Sequence, residues 1–241
     1  MALILSVLGT QIMWYVTRSS GFIALLLLTM TVVLGVSSAQ KVKVGKVPRV
    51  YFAELHRSVA LFALVLLAIH IFTAVVDPFT KLGWTTAFDP FGRTYRPLYL
   101  GLGVTAFDLL LTVLITSLLR DRLKQRTWKT LHFLSYPIWL LAIVHGLGTG
   151  TDSHYSFALV IYGICLVAVL ISVWVRILDS GIERSLLRFS AYALTLFAPF
   201  LLLLWTLLGP AKASWSKHFV STTIPAHVKT NSLPSEKEAG E

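Results

Sequence analysis

The stretch that decides the fold is YFAELHRSVALFALVLLAIHIFTAVV, residues 51–76. As a helix it is long enough to cross a bilayer core of about 30 Å, which takes about 20 mostly apolar residues. It also contains two histidines, His56 and His70. Ionisable groups at membrane depth are costly and by default mark function. The segment therefore predicts a membrane-spanning helix that carries functional side chains.

The composition of the whole chain is that of a membrane protein. Of its 241 residues, 56% are hydrophobic and 13% are charged, whereas soluble domains average about 45–50% and about 25%. Its mean hydropathy is +0.75. These values exclude a disordered chain, a nucleic-acid-binding module and an ordinary cytosolic enzyme. The one cysteine, Cys165, excludes an internal disulfide and a cysteine-based metal site, and we expect it to be an inert core thiol.

Five further stretches have the length and apolarity of spanning helices: 20–39, 98–118, 130–147, 157–175 and 189–208. We therefore predict an all-α integral membrane protein, a six-helix bundle over residues 20–210. Residues 1–19 are apolar but few, and predict an N-terminal interfacial helix or an outer extension of the first span. Residues 211–241 are polar and predict an extracytoplasmic tail, disordered beyond about Phe219.

The loops predict the orientation. Segments 40–50, 119–129 and 176–188 are rich in Lys and Arg, and they alternate with less basic loops. Basic loops lie on the cytoplasmic side, so six spans put both termini outside. The net charge of +10 then reflects orientation and attraction to anionic headgroups rather than binding to nucleic acid.

Four histidines lie in two of the spans. His56 and His70 are 14 positions apart in the second span, about 21 Å of helix, and His132 and His145 are 13 apart in the fourth, about 20 Å. Both helices run outward, so the four residues form two pairs, one at each depth. Neutral imidazoles from two sides suit a six-coordinate haem iron. Because the sequence has no CxxCH motif, we predict that the haem is not c-type.

Two other interpretations of the histidines stay open. Polar side chains can simply bond neighbouring helices. A histidine-based metal-ion or proton transporter is the other, although it would favour close clusters with carboxylates, and only Glu54 and Asp108 are available. The direction of the side chains is a difficulty for haem binding. In an ideal helix the 13 positions from His132 to His145 place the two side chains about 140° apart around the helix axis. Pro137 lies between His132 and His145 and is expected to distort that helix.

Several segments resemble one known family. Residues 126–152, RTWKTLHFLSYPIWLLAIVHGLGTGTD, closely resemble the fifth-helix region of the ferric reductase-like transmembrane domain. Residues 54–77 are similar to its other histidine-bearing helix, and WYVTRSSG (14–21) and YRPLYLGLG (95–103) are similar to segments of its bacterial members. The family includes the membrane core of NADPH oxidases and the haem-binding subunit of a bacterial methionine-sulfoxide reductase system.

The resemblance implies a di-haem b core in a bacterial plasma membrane, with four axial ligands. His56 and His132 would bind the inner haem iron, and His70 and His145 the outer one. Arg57 is a candidate partner of a haem propionate, and Arg18 and Arg96 on the outer side are either further partners or surface anchors.

The function that the resemblance implies is transmembrane electron transfer from a cytoplasmic flavoprotein or a membrane quinol to an extracytoplasmic acceptor. Relatives that oxidise NAD(P)H continue into FAD- and NADPH-binding domains, whereas this chain stops about 30 residues after its last span and has no GxGxxG motif. We therefore expect a haem-binding component of an oxidoreductase, with any flavin brought by a partner protein. A non-catalytic haem-binding assembly subunit is the alternative within this class.

Overall fold

The fold, taken from a computed structural model, is described for residues 2–40, 48–77, 82–90, 96–179, 185–212 and 214–215. Over these residues it is entirely helical, with two short 3₁₀ turns at Trp84–Ala87 and Arg120–Arg122. The α-helices are α1 (Ala2–Ala39), α2 (Arg49–Val76), α3 (Pro97–Leu118), α4 (Gln125–His132), α5 (Ser135–Thr149), α6 (Ser156–Asp179) and α7 (Ser185–Leu208).

The predicted membrane bundle is confirmed. Among the described residues, five helical segments are long and apolar enough to cross a membrane, with α4 and α5 together forming one of them: Ile12–Ala39, Val50–Val76, Pro97–Leu118, Gln125–Thr149 and Ser156–Leu178. The sixth predicted span lies in α7, where the apolar described part, Tyr192–Leu208, is shorter. The chain is thus a multi-pass membrane protein.

Helix α1 includes the residues for which the sequence left two alternatives, a separate interfacial helix or an extension of the first span. It runs without a break from Ala2 to Ala39, so residues 2–19 continue the first span as a helical extension. The interfacial position of residues 1–19 stays a prediction. The tail predicted over 211–241 lies outside the described residues except for 211, 212, 214 and 215.

The fourth span is interrupted where the sequence predicts a distortion. Helix α4 ends at His132, and the turn at Phe133 and Leu134 separates it from α5. In that turn the N–H of Tyr136 donates to the carbonyl of Phe133, an i→i+3 bond that winds the chain more tightly than an α-helix. Pro137 occupies the first turn of α5, where its missing N–H costs no helical bond. The tighter turn changes the angular phase between the two histidines of this span.

The packing of the helices leaves a gap between α2 and α5. Helix α2 packs against α1, and α5 packs against α3 and α1, whereas α2 and α5 make little direct backbone contact in the described part. The main apolar core lies among α1, α5 and α6 and includes Trp139, Ile143, Tyr162 and Cys165. Cys165 is fully buried there, as expected. This packing holds α2 and α5 in place while leaving the space between them to their side chains.

Candidate functional site

The structure brings the four histidines together as two pairs. His56 on α2 faces His132 at the end of α4, with ring centroids 6.1 Å apart, and we name these two residues the inner pair. His70 on α2 faces His145 on α5, with ring centroids 6.3 Å apart, and we name these two the outer pair. The two pairs lie in the same gap between α2 and the α4–α5 span, and the 14 positions from His56 to His70 correspond to about 21 Å of helix.

This spacing fits one metal ion held between the two rings of each pair. A metal–imidazole bond measures about 2.0–2.1 Å, as at zinc, and C–N bonds of about 1.33 Å give an imidazole ring a radius of about 1.1 Å. Two imidazoles on opposite sides of one ion therefore have centroids about 6.3 Å apart. Edge-to-face contact between rings occurs at similar distances. The hydrogen bonds of the rings favour the first arrangement.

Three of the histidines use Nδ1 in the same way. A carbonyl oxygen only accepts, so each of these Nδ1 atoms carries the hydrogen and donates it: His56 to Thr31 at 2.8 Å, His70 to Thr17 at 2.8 Å and His145 to Tyr99 at 2.9 Å. Each Nε2 then keeps its lone pair, and no hydrogen bond engages an Nε2 atom of the four within the described ranges. A backbone carbonyl on the far nitrogen is the usual support of a metal-ligating histidine.

His132 is the exception. Its Nδ1 is buried without a hydrogen-bond partner among the described residues, and the same holds for Nε1 of Trp128 one turn earlier. The two rings are stacked, with centroids 5.1 Å apart and planes inclined by 26°. The guanidinium of Arg120 lies over Trp128, 4.6 Å from the ring centroid. A stack of three planar groups thus leads from the basic segment at 120–129 to the inner pair.

The outer pair lies in a largely apolar cavity of about 280 Å³. Its lining includes His70 and His145 and, near its polar end, Arg18 and Asp152. Arg18 forms an ion pair with Asp152, donates to the hydroxyl of Thr151 and packs 4.2 Å from the centroid of the Trp14 ring. These contacts tie α1 to the connection between α5 and α6 beside the outer pair.

Arg96 is placed differently from Arg18. It is 2% exposed and adopts a left-handed backbone with φ of 49°. Its guanidinium donates to the carbonyls of Gly148, at 2.5 Å, and Trp215, at 3.3 Å. The Trp215 ring packs on Tyr99, 5.7 Å between centroids, although the sequence analysis put it in the polar tail. Because Tyr99 is the carbonyl acceptor for His145, this cluster supports the outer pair from behind.

Comparison with known proteins identifies the family. A family model described as Ferric reductase like transmembrane component matches residues 20–143, just over half of the chain. The chain belongs to this family. Its general function is accordingly electron transfer across a membrane, and domains of the family generally bind haem. Comparison with curated proteins and with solved structures gave no significant match.

The other polar candidates in this ferric reductase-like chain do not join the histidine pairs. The described residues contain no group of three or more His, Cys, Asp or Glu side chains that would hold a metal ion. Glu54 and Arg57 are exposed on α2, and Asp108 is half-buried on α3. In the described part, no hydrogen bond or ion pair connects Arg57 to the inner pair. Its role at a propionate stays a prediction.

The residues of α1 that support the histidines were not predicted from the sequence. Thr17 and Thr31 supply the carbonyls, and Gly21 and Gly35, each four residues later, lie against the same two rings. A signal was present in the sequence: the pattern TxxxG occurs twice in α1, 14 positions apart, and matches the spacing of the two histidines of α2. Such a match between antiparallel helices predicts repeated contact at equal depth.

Proposed function

We propose that this ferric reductase-like chain carries single electrons across the membrane through two haem b groups. His56 and His132 hold the inner haem iron, and His70 and His145 the outer one. The observation that carries the proposal is the pair of ring separations, 6.1 and 6.3 Å, in a gap between helices. Two protein ligands do not complete a site for a bare cation, so the remaining ligands come from a macrocycle in that gap.

Haem, when bound, supplies an iron that changes its oxidation state by one electron. The residues of the chain position and insulate it. With two histidines at each iron, little room would remain for a substrate there, which would suit electron transfer rather than reaction of a substrate at the iron. The apolar lining of the outer cavity excludes water and sets a low dielectric.

The proposed direction is outward from the basic side. Arg120, Arg122 and Lys124 are exposed in the connection that leads into α4, on the side where the positive-inside rule puts the cytoplasm, and Arg120 packs on Trp128 next to the inner pair. A flavoprotein or a quinol donates there, and an extracytoplasmic acceptor takes the electron at the outer pair. With the inside negative, a full outward crossing is favoured by about 2.3 kcal/mol per electron for each 100 mV.

The first experiment tests each histidine pair by measuring the haem content of the protein. The protein is purified from haem-supplemented cells, its reduced-minus-oxidised spectrum is recorded, and haem b is counted per chain. We expect two haems in the natural protein and one in each alanine variant of the four histidines. His154→Ala is the matched control, because His154 lies in the α5–α6 connection, beside Tyr155 and outside both pairs. Absence of b-type bands, or full haem in all four variants, would overturn the proposal.

The second experiment separates electron transfer from a mere assembly role. Vesicles that contain the protein enclose ferricyanide, dithionite is added outside, and a proton ionophore collapses the potential. We expect the enclosed ferricyanide to be reduced with the natural protein and with His154→Ala. His56→Ala and His145→Ala, each lacking one haem, should slow this reduction to the rate of empty vesicles. Haem-loaded natural protein that gives only that rate would favour an assembly subunit.

A further inference from the structure

Three histidines of the site share one backbone arrangement. His56 donates to the carbonyl of Thr31, and Gly35 follows that carbonyl by four residues. The same offset relates Thr17 to Gly21 at His70, and Tyr99 to Gly103 at His145. In an α-helix, residues i and i+4 lie one above the other, so each glycine stands directly beside the carbonyl that its histidine uses.

The glycines make this approach sterically feasible. A methyl group on Gly35 would lie 3.2 Å from Cε1 and 3.3 Å from Nδ1 of His56, and beyond the adjacent backbone of its own helix it would meet no other described atom within 4 Å. On Gly21 it would lie 3.0 Å from both Cε1 and Nδ1 of His70, and on Gly103 it would overlap the ring of His145. Any side chain at these positions therefore pushes the imidazole away from its carbonyl.

We propose that Gly21, Gly35 and Gly103 are positioning residues that fix the orientation and tautomer of three axial ligands. The inference rests on the proposed haem ligation. Each glycine lets an imidazole reach the carbonyl four residues earlier, which holds the hydrogen on Nδ1 and directs the Nε2 lone pair into the gap between helices. A methyl group at any of the three sites weakens the binding of the haem whose histidine it touches and leaves the binding of the other haem unchanged.

The arrangement is unequal between the two haems. Both ligands of the outer haem, His70 and His145, have a glycine and a carbonyl behind them. Of the inner ligands only His56 has them in the described part of the chain, because Nδ1 of His132 has no hydrogen-bond partner there. The inner haem is therefore the more loosely held of the two, and it is the first to be lost when haem is withdrawn by an excess of apomyoglobin.

The experiment compares Gly35→Ala and Gly21→Ala with Gly163→Ala, a control on α6 whose added methyl meets nothing within 4 Å. Haem b is counted per chain, and the low-spin ferric signals are recorded by electron paramagnetic resonance. We expect Gly35→Ala to lower affinity for the inner haem by about 10-fold or more and to shift only its signal. Gly21→Ala should do the same at the outer haem, and Gly163→Ala should match the natural protein.

A haem-free measurement keeps the proposal testable if a variant loads poorly. In the haem-free protein, Gly35→Ala should lower the unfolding temperature when His56 is present. In the His56→Ala background the same change should raise it, as Gly163→Ala does, because alanine favours a helix over glycine. Natural protein with two haems, combined with glycine variants indistinguishable from Gly163→Ala, would overturn this inference alone. Natural protein without haem b would instead overturn the proposed function.

Discussion

Replacing Asp152 by asparagine should destabilise the end of the bundle near the outer pair. The carboxylate of Asp152, in the turn between α5 and α6, forms an ion pair with Arg18 of α1 and so joins these two parts of the chain. The exposed fractions of the Arg18 and Asp152 side chains are 18% and 17%, so the pair is intermediate between a surface ion pair and a buried one. Exposed pairs contribute about 0–1 kcal/mol, and breaking a buried pair costs about 3–5 kcal/mol. We expect Asp152→Asn to lower the free energy of unfolding by about 2 kcal/mol.

The energy that belongs to the pair itself should be smaller than that loss. After the substitution Arg18 keeps the hydroxyl of Thr151 and the ring of Trp14, so part of its environment survives. We expect a coupling between Arg18→Gln and Asp152→Asn of about 1–2 kcal/mol. A loss of about 2 kcal/mol corresponds to a fall of about 4–8 °C in the unfolding temperature for a chain of this size.

The assay is thermal unfolding in detergent, followed by tryptophan fluorescence, for the two single variants and the double variant. Arg126→Gln, at an exposed position of α4, is the control and should stay within about 0.5 kcal/mol. The coupling should survive in about 1 M salt, where charges are screened beyond about 3 Å, since solvent ions reach a largely buried pair poorly. Effects that add within about 0.3 kcal/mol, or a coupling abolished by that salt, would refute the reasoning.

Three further predictions concern other parts of the molecule. Gly148→Ala should displace the Tyr99 ring, whose backbone carbonyl serves the outer pair, and should lower outer-haem affinity by about 10-fold or more, measured by haem titration. Trp139→Phe should remove the hydrogen bond to the hydroxyl of Thr29 and lower stability by about 1 kcal/mol in thermal unfolding, with haem content unchanged. In a variant without the native cysteine, Lys124→Cys should react with an impermeant maleimide only from the cytoplasmic side.

Each of these has a result that would count against it. If Gly148→Ala had the same haem affinity as Gly163→Ala, the position of Tyr99 would not affect the outer site. Loss of haem from Trp139→Phe would give that residue a role beyond packing. Labelling of Lys124→Cys from outside intact cells would invert the proposed topology, and with it the proposed direction of electron flow.

The sequence predicts the bundle and the order of the histidines along its helices, for a physical reason. A bilayer of fixed thickness sets the length of every span, so apolar runs such as 98–118 coincide closely with the observed helix, Pro97–Leu118. Depth along a helix follows from counting residues. The pairing of His56 with His132 and of His70 with His145 therefore matched the predicted order along the two spans.

The features that escape prediction depend on contacts between helices. The 13-residue spacing of His132 and His145 works only because the turn at Phe133 and Leu134 changes the phase, and Pro137 marked the place without giving the angle. The carbonyl partners are backbone atoms, and the repeated TxxxG pattern of α1 marks two of them only indirectly, through the glycines beside them. The return of Trp215 onto Tyr99 joins residues 116 positions apart, a contact that only the folded chain brings about.

The unbroken length of α1 has a mechanical consequence. Its 38 residues span about 57 Å, whereas a bilayer with its headgroups measures about 40–45 Å. Because the carbonyl of Thr17 serves the outer site, the turns before it project past that site as one stiff rod. No break in α1 separates these turns from the carbonyl that holds His70, so a displacement of the N-terminal end would reach this hydrogen bond through continuous helix.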